Sequence, residues 1–193
     1  MKKVIFLVLL SIGSIQNILC QSYKIDAGHS NVQIQVERFG VIDVVGRFKD
    51  VSGSISYNGD HIPETAAQAV IQVDSYDANN AGGEEAVKSK AFLDAVTFPE
   101  ITFVAKEAII KNEETFLIGD LTIHGETNSI ELPFSVHGPL LDLPTQKQSV
   151  ALSASTTINR QDYGVSFDRK LPNGTPIVGN DIKITLQILA IAE

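Results

Sequence analysis

Ile182-Lys183-Ile184-Thr185-Leu186-Gln187-Ile188 alternates apolar and polar residues without a break, and Val32-Gln33-Ile34-Gln35-Val36 near the other end of the chain does the same. Successive side chains on a β-strand point to opposite faces, so each stretch reads as a strand with one apolar face and one wet face. Working inward from these two, the same pattern returns in short segments. A first strand is expected over residues 23–38, interrupted near Gly28. A second covers 44–57, where Gly46 and Gly53 mark bulges or tight bends. A third covers 69–76, after a turn at Asn58-Gly59-Asp60.

The alternation stops between residues 78 and 97. Asn79-Asn80-Ala81-Gly82-Gly83 is loop-like, and residues 84–92 are good helix formers, so a short helical excursion is expected here with Val87, Ala91 and Phe92 turned inward. Strands resume at 101–105 and 116–124 around a polar hairpin tip at 111–114. Another, 130–136, contains Pro133, which suits an edge, a bulge or a position whose N–H would face outward. Residues 138–147 read as a proline-containing loop and 150–160 as a strand. A long loop at 161–180 precedes the last strand, 181–191; loops of that length in compact domains are often functional. The reading is all-β: about eight antiparallel strands closed into a barrel, with the helical excursion between strands 3 and 4. A two-sheet sandwich is the alternative architecture. Long first and last strands able to pair favour the barrel, whose interior is either filled by side chains or holds one small ligand.

Met1-Lys2-Lys3 followed by an apolar run from Val4 to Leu10 and beyond reads as a secretory signal, residues 1–20, leaving one domain at 21–193. Removal after Cys20 is expected, placing the protein in the periplasm or outside the cell. A lipoprotein anchored through Cys20 is the alternative. Cys20 is the only cysteine, so no disulfide forms within one chain and the core alone must hold the fold. The formal net charge is −8, and losing Lys2 and Lys3, with no acidic residue before Cys20, takes it to −10. Such a surface repels phosphate backbones and anionic lipid surfaces, so nucleic acid is not an expected partner.

His29, His61, His124 and His137 are the only histidines and show no zinc-type spacing, so no metal is expected. No serine sits in a nucleophile elbow, and the carboxylate pairs Glu84-Glu85 and Glu113-Glu114 are adjacent in sequence and read as solvated; neither an enzyme nor a catalytic residue is expected. The phenylalanines point instead to a pocket wall. Ile34, Val36, Arg38, Phe39, Phe48, Phe92, Phe98, Phe103, Phe134 and Tyr163 are the candidate lining residues, with His29, Arg160 and Asp162 as candidate polar rim. The competing interpretation is that the aromatics are ordinary core, in a filled barrel that binds a protein partner through the 161–180 loop or its outer face.

Several blocks resemble one family. Tyr23-Lys24-Ile25-Asp26 with His29-Ser30, Phe39-Gly40, Gly46-Arg47-Phe48 and Gly53 resemble the N-terminal signature of the YceI-like family. So do Lys88-Ser89, Ala91-Phe92, Phe98-Pro99 and Ile101-Thr102-Phe103, then residues 119–127, and later Ile158-Asn159-Arg160 with Asp162-Tyr163-Gly164 and Val178-Gly179. The resemblance implies a lipocalin-like, eight-stranded periplasmic barrel whose apolar tunnel takes a polyisoprenoid of quinone or prenyl-phosphate type, with no cofactor. It also implies a homodimer, and a carrier of such a ligand is expected to touch a membrane or a membrane protein transiently. The chain departs from the family's common pattern where Gly83-Glu84 replaces an Arg-Asp pair, Ala86-Val87 replaces His-Leu, and Arg38 replaces a histidine. Those positions bear on a ligand's polar end.

Overall fold

The computed structural model describes residues 20–59 and 61–193, so the expected signal segment before Cys20 and Asp60 of the predicted turn lie outside the described residues. Eleven strands form one antiparallel sheet: β1 (Gln21–Ile25), β2 (Asn31–Arg38), β3 (Ile42–Phe48), β4 (Val51–Tyr57), β5 (Ala66–Gln72), β6 (Tyr76–Asp77), β7 (Glu100–Lys111), β8 (Glu114–Ile123), β9 (Glu126–Asp142), β10 (Lys147–Asn159) and β11 (Val178–Ala192). The first six are halves of three barrel strands. A 3-10 turn at Ala27–His29 separates β1 from β2, Lys49-Asp50 separates β3 from β4, and a 3-10 turn at Val73–Ser75 separates β5 from β6. Counted this way the sheet is an eight-stranded up-and-down barrel.

Closure comes from the two stretches whose alternation is cleanest. β11 pairs with β2 through Ile182–Val36, Ile184–Ile34 and Leu186–Val32, and then with β1 through Ala190–Ile25 and Ala192–Tyr23. In every one of these pairs both members are apolar. A slip of one residue would set apolar against polar along the whole seam, so the pattern itself selects the register.

Pro133 sits one residue beyond the last β9–β10 pair, Phe134–Ala154, where the edge of β9 facing β10 is already free; its missing N–H costs that ladder nothing. The expected loop at 138–147 is instead strand and turn. β9 runs on to Asp142, a register shift between Ser149 and Ala151 absorbs Gly138-Pro139, and the chain reverses within residues 143–146. Bulged strands keep pairing around a proline when the extra residue is left out of the ladder.

The helical excursion is α1 (Ala81–Lys88), between the third and fourth barrel strands as expected. Asn80 caps it by accepting from the Gly83 amide at 3.3 Å, while a Glu84 carboxylate oxygen reaches back to the amides of Ala78 and Asn80 at 3.0 and 3.3 Å. Capping is what allows so short a helix to hold.

One half of the barrel is solid. Tyr23, Ile55, Tyr57, Leu117, Phe134, Val150 and Ala190 are all buried there, and each of the larger side chains among them contributes about 1.5–3 kcal/mol relative to exposure. This end carries the start of β1, the tip between β7 and β8, the tip between β9 and β10, and the C-terminus. The opposite end carries the β2–β3 turn, α1, the β8–β9 turn and the segment joining β10 to β11. That end is hollow.

Candidate functional site

The inner faces of the strands at the open end enclose a cavity of about 910 Å³. Val32, Ile34 and Val36 of β2 face Ile182, Ile184, Leu186 and Ile188 of β11, and Ile101, Phe103, Leu121, Ile123, Ile130 and Leu132 complete the wall. Phe48 and Tyr76, with ring centroids 5.3 Å apart, form part of it. Gly46 makes room for them: a Cβ there would come within 2.1 Å of the Tyr76 hydroxyl. Arg38, Val45, Gly82, Ala86 and Ala91 line the cavity and are also exposed, which marks the mouth between the β2–β3 hairpin and α1. Phe92, just after α1, meets Phe167 from the β10–β11 segment at 4.8 Å, so two separate parts of the chain touch beside the opening.

Polar groups are few. Arg160 is 5% exposed and its guanidinium donates to three main-chain carbonyls: Nε to Gly179 at 3.0 Å, Nη2 to Phe167 at 2.5 Å, and Nη1 to Val165. Burial depresses its pKa, with the Asp168 charge opposing that shift; an arginine nonetheless stays protonated. No carboxylate forms an ion pair with it among the described residues. Tyr163, 2% exposed, and Tyr76 both line the cavity, and burial pushes both hydroxyls above the ordinary tyrosine range, so they remain neutral donors. Asn80, Ser89 and Thr156 are the other polar lining residues besides Arg38.

Of the candidate lining residues, Ile34, Val36, Arg38, Phe48, Phe92, Phe103 and Tyr163 stand around the cavity, as does Arg160 from the candidate rim. Five candidates do not. Phe39 takes a left-handed backbone (φ 57°) in the β2–β3 turn, where its ring lies 4.3 Å under the Arg38 guanidinium. Phe98 packs from outside on the β8–β9 turn, 4.5 Å from His124 and against Gly125. Phe134 points inward but at the solid end, opposite Thr115 and Ala154. His29, with a side chain 75% exposed, bonds Asp26 at 2.7 Å near Leu189, well down β11 from the mouth. Asp162 is exposed, and its backbone carbonyl, rather than its carboxylate, is engaged, by Asn128 at 2.9 Å.

Sequence reasoning passed over the aliphatic wall from β11, Leu93, Phe167 and Ile177. The alternation of 182–188 was a sufficient signal for the first; nothing local marks the others, because Leu93 lies in the turns between α1 and β7 and the segment between β10 and β11 has no period. Among the described residues no group of three or more His, Cys, Asp or Glu is placed to hold a metal, and no helix is long and apolar enough to cross a membrane.

An up-and-down antiparallel barrel, solid at one end and hollow and apolar at the other, defines a lipocalin-like fold with a ligand-sized interior. The particular family follows from the sequence as a whole. Residues 23–190 match the YceI-like domain, and the chain belongs to the YceI-like family. It is 28% identical over 161 residues to a UPF0312 protein of Staphylococcus epidermidis, covering 83% of this chain and 92% of that one. A Staphylococcus aureus UPF0312 protein is also 28% identical, over 162 residues, covering 84% and 92%. Among solved structures, Burkholderia cenocepacia BcnA superposes with a TM-score of 0.74 at 22% identity, covering 86% of this chain and 99% of BcnA. A polyisoprenoid-binding domain from Saccharophagus degradans gives 0.68 at 16% identity, covering 90% and 99%. Both similarities establish the shared barrel.

Proposed function

We propose that this protein is an envelope-compartment carrier that sequesters, stores or ferries a long apolar molecule, of polyisoprenoid type, in the open half of its barrel. The observation that carries this reading is the cavity itself: about 910 Å³, walled by aliphatic and aromatic side chains and open at one end. That volume lies at the upper end of the range for small-molecule sites, and each methylene buried in it contributes about 0.8 kcal/mol. The hollow half also weighs against a filled barrel that works only through its outer surface. The structurally similar Saccharophagus degradans domain, described as polyisoprenoid-binding, supports the choice of ligand class.

Positions 38, 83 and 86, where the chain departs from the family's common residues, all line the cavity near its mouth. With glycine and alanine at two of them, the polar end of a bound molecule is left to Arg38, the two tyrosines, Asn80, Ser89 and Thr156, while the Arg160 guanidinium is engaged by main-chain carbonyls. Export is supported by the basic and apolar start of the chain and by β1 beginning at Gln21, directly after the expected cleavage point. The mass of the mature N-terminus separates cleavage from lipidation at Cys20.

Mass spectrometry of an organic extract of the exported protein tests the reading. A co-purifying long-chain isoprenoid is expected, and Ile184→Trp, which adds bulk from the β11 wall into the cavity, should reduce its retention while leaving the protein folded. Absence of any apolar molecule from the extract, together with failure to take up a fluorescent long-chain probe, would overturn it.

A further inference from the structure

Exposed apolar side chains gather at two places, Leu140, Leu141 and Leu143 at the β9–β10 tip of the solid end, far from the cavity, and a second three beside the mouth. Val41, Ile42 and Val45, at the turn of the β2–β3 hairpin, are 81%, 59% and 46% exposed. Val45 also lines the cavity, so the patch is continuous with the ligand site. The hairpin projects there. β3 is held on its outer side only where Arg47 pairs with Asp77 and Phe48 with Tyr76, and from Ile42 to Gly46 that edge carries no strand among the described residues.

From this arrangement we infer that the β2–β3 tip is the element with which the protein touches a lipid bilayer while its cargo enters or leaves. The inference rests on the carrier reading, because it supplies the surface from which an apolar cargo reaches the mouth without crossing water. The patch is far too small for a stable protein partner, which takes about 20–30 residues a side. It does suit shallow, reversible seating at the headgroup boundary, where a few apolar side chains enter and charged ones stay wet. Arg38, opposite Ile42, can extend toward lipid phosphates, while the exposed Glu37 and Asp43, opposite each other one step below, stay in water. The free backbone edge of β3 limits the depth, since unpaired amides and carbonyls are costly in hydrocarbon.

The exported protein tests this with vesicles of zwitterionic phosphatidylethanolamine and phosphatidylcholine, which do not repel its acidic surface, and a pyrene-tagged farnesol probe. Val41→Asp/Ile42→Asp changes only exposed side chains, and Leu143→Asp, at an exposed site on the opposite end of the barrel, is the control. Wild type should transfer probe at a rate that rises with vesicle concentration. The double variant should bind probe within about two-fold of wild type but transfer it at least about ten-fold more slowly, since the loss of either one of the two apolar side chains alone accounts for about that change. Leu143→Asp should behave as wild type. Transfer independent of vesicle concentration in wild type, equal rates in the double variant, or loss only in Leu143→Asp would overturn the inference. So would a change in sedimentation from dimer to monomer with vesicle transfer unaffected, which would assign the tip to a second copy. If no probe binds at all, the carrier reading fails on its own, and flotation of empty protein with the same vesicles still decides the tip: wild type floating and the double variant not floating supports it, equal behaviour refutes it.

Discussion

Replacing Arg160 by methionine removes the charge and the donors while keeping an unbranched, apolar stem. Three hydrogen bonds from an ionised donor are lost, to the carbonyls of Gly179, Phe167 and Val165. Each such bond contributes about 1.5–3 kcal/mol, but the guanidinium is buried without an ion-pair partner, and its desolvation offsets several kcal/mol of that sum. The Val165 carbonyl, on a residue only 4% exposed, is then left without its arginine partner. The net expectation is a loss of about 2–4 kcal/mol, a fall in Tm of about 5–15 °C for a chain of this size. Calorimetry and urea denaturation of wild type, Arg160→Met and Arg160→Lys measure it. Lysine carries the charge but lacks the planar fork, so it should recover less than half of the loss. The segment these bonds hold supplies Tyr163, Val165, Phe167 and Ile177 to the cavity, so probe affinity should fall with stability. A loss below about 1 kcal/mol in Arg160→Met, or full rescue by lysine, would refute the three-point clamp.

Gly46→Ala should force the Tyr76 ring into the cavity, because the added Cβ meets its hydroxyl at 2.1 Å. A cost of about 1–3 kcal/mol is expected, with a weaker long-chain probe signal by fluorescence titration. Leu117→Ala, in the solid half, should cost about 2–5 kcal/mol in denaturant melts with probe affinity unchanged. Ile184→Ala, in the hollow half, should cost less stability and weaken the probe about ten-fold, by the loss of buried methylenes; the reverse pattern would contradict the division into two halves. The Asp77 carboxyl is held below its ordinary value by the Asn79 amide, then by Lys49 at 3.2 Å and by Arg47. Because the folded pKa lies under the unfolded one, its stabilisation is complete above the ordinary carboxylate pKa of about 3.9 and is lost as pH falls through the folded value. Asp77→Asn should therefore melt below wild type at about pH 7 and converge with it near pH 2; a constant gap would argue against the carboxylate's role.

Period-two alternation was enough to find the barrel. In β2 and β11 it specified which residues face inward and, since apolar must meet apolar across the seam, how the sheet closes. The helix between the third and fourth barrel strands was equally legible, because alternation stops there and helix formers begin. Where the chain bends rather than alternates, local pattern misled: Gly138-Pro139 reads as a loop, yet neighbours on both sides carry the strand through it.

Alternation says inward or outward, but inward at the solid end and inward at the hollow end look identical along the chain. Phe103 and Phe134 are both inward-facing phenylalanines on strands; only the height of each in the closed barrel makes one a cavity wall and the other core. Phe98 and Phe39 belong to turns whose side-chain directions no period governs. Arg160 was legible as a polar residue near the mouth, but its role as a clamp depends on carbonyls of Val165, Phe167 and Gly179, brought together only by the return of the chain into β11. The sequence by itself determined the strands, their faces and the family, because those follow from the local period and from residue identity. Which half of the barrel is empty, where it opens, and that an apolar hairpin tip stands at that opening were decided by tertiary structure, because each depends on how far along the barrel axis a residue comes to rest.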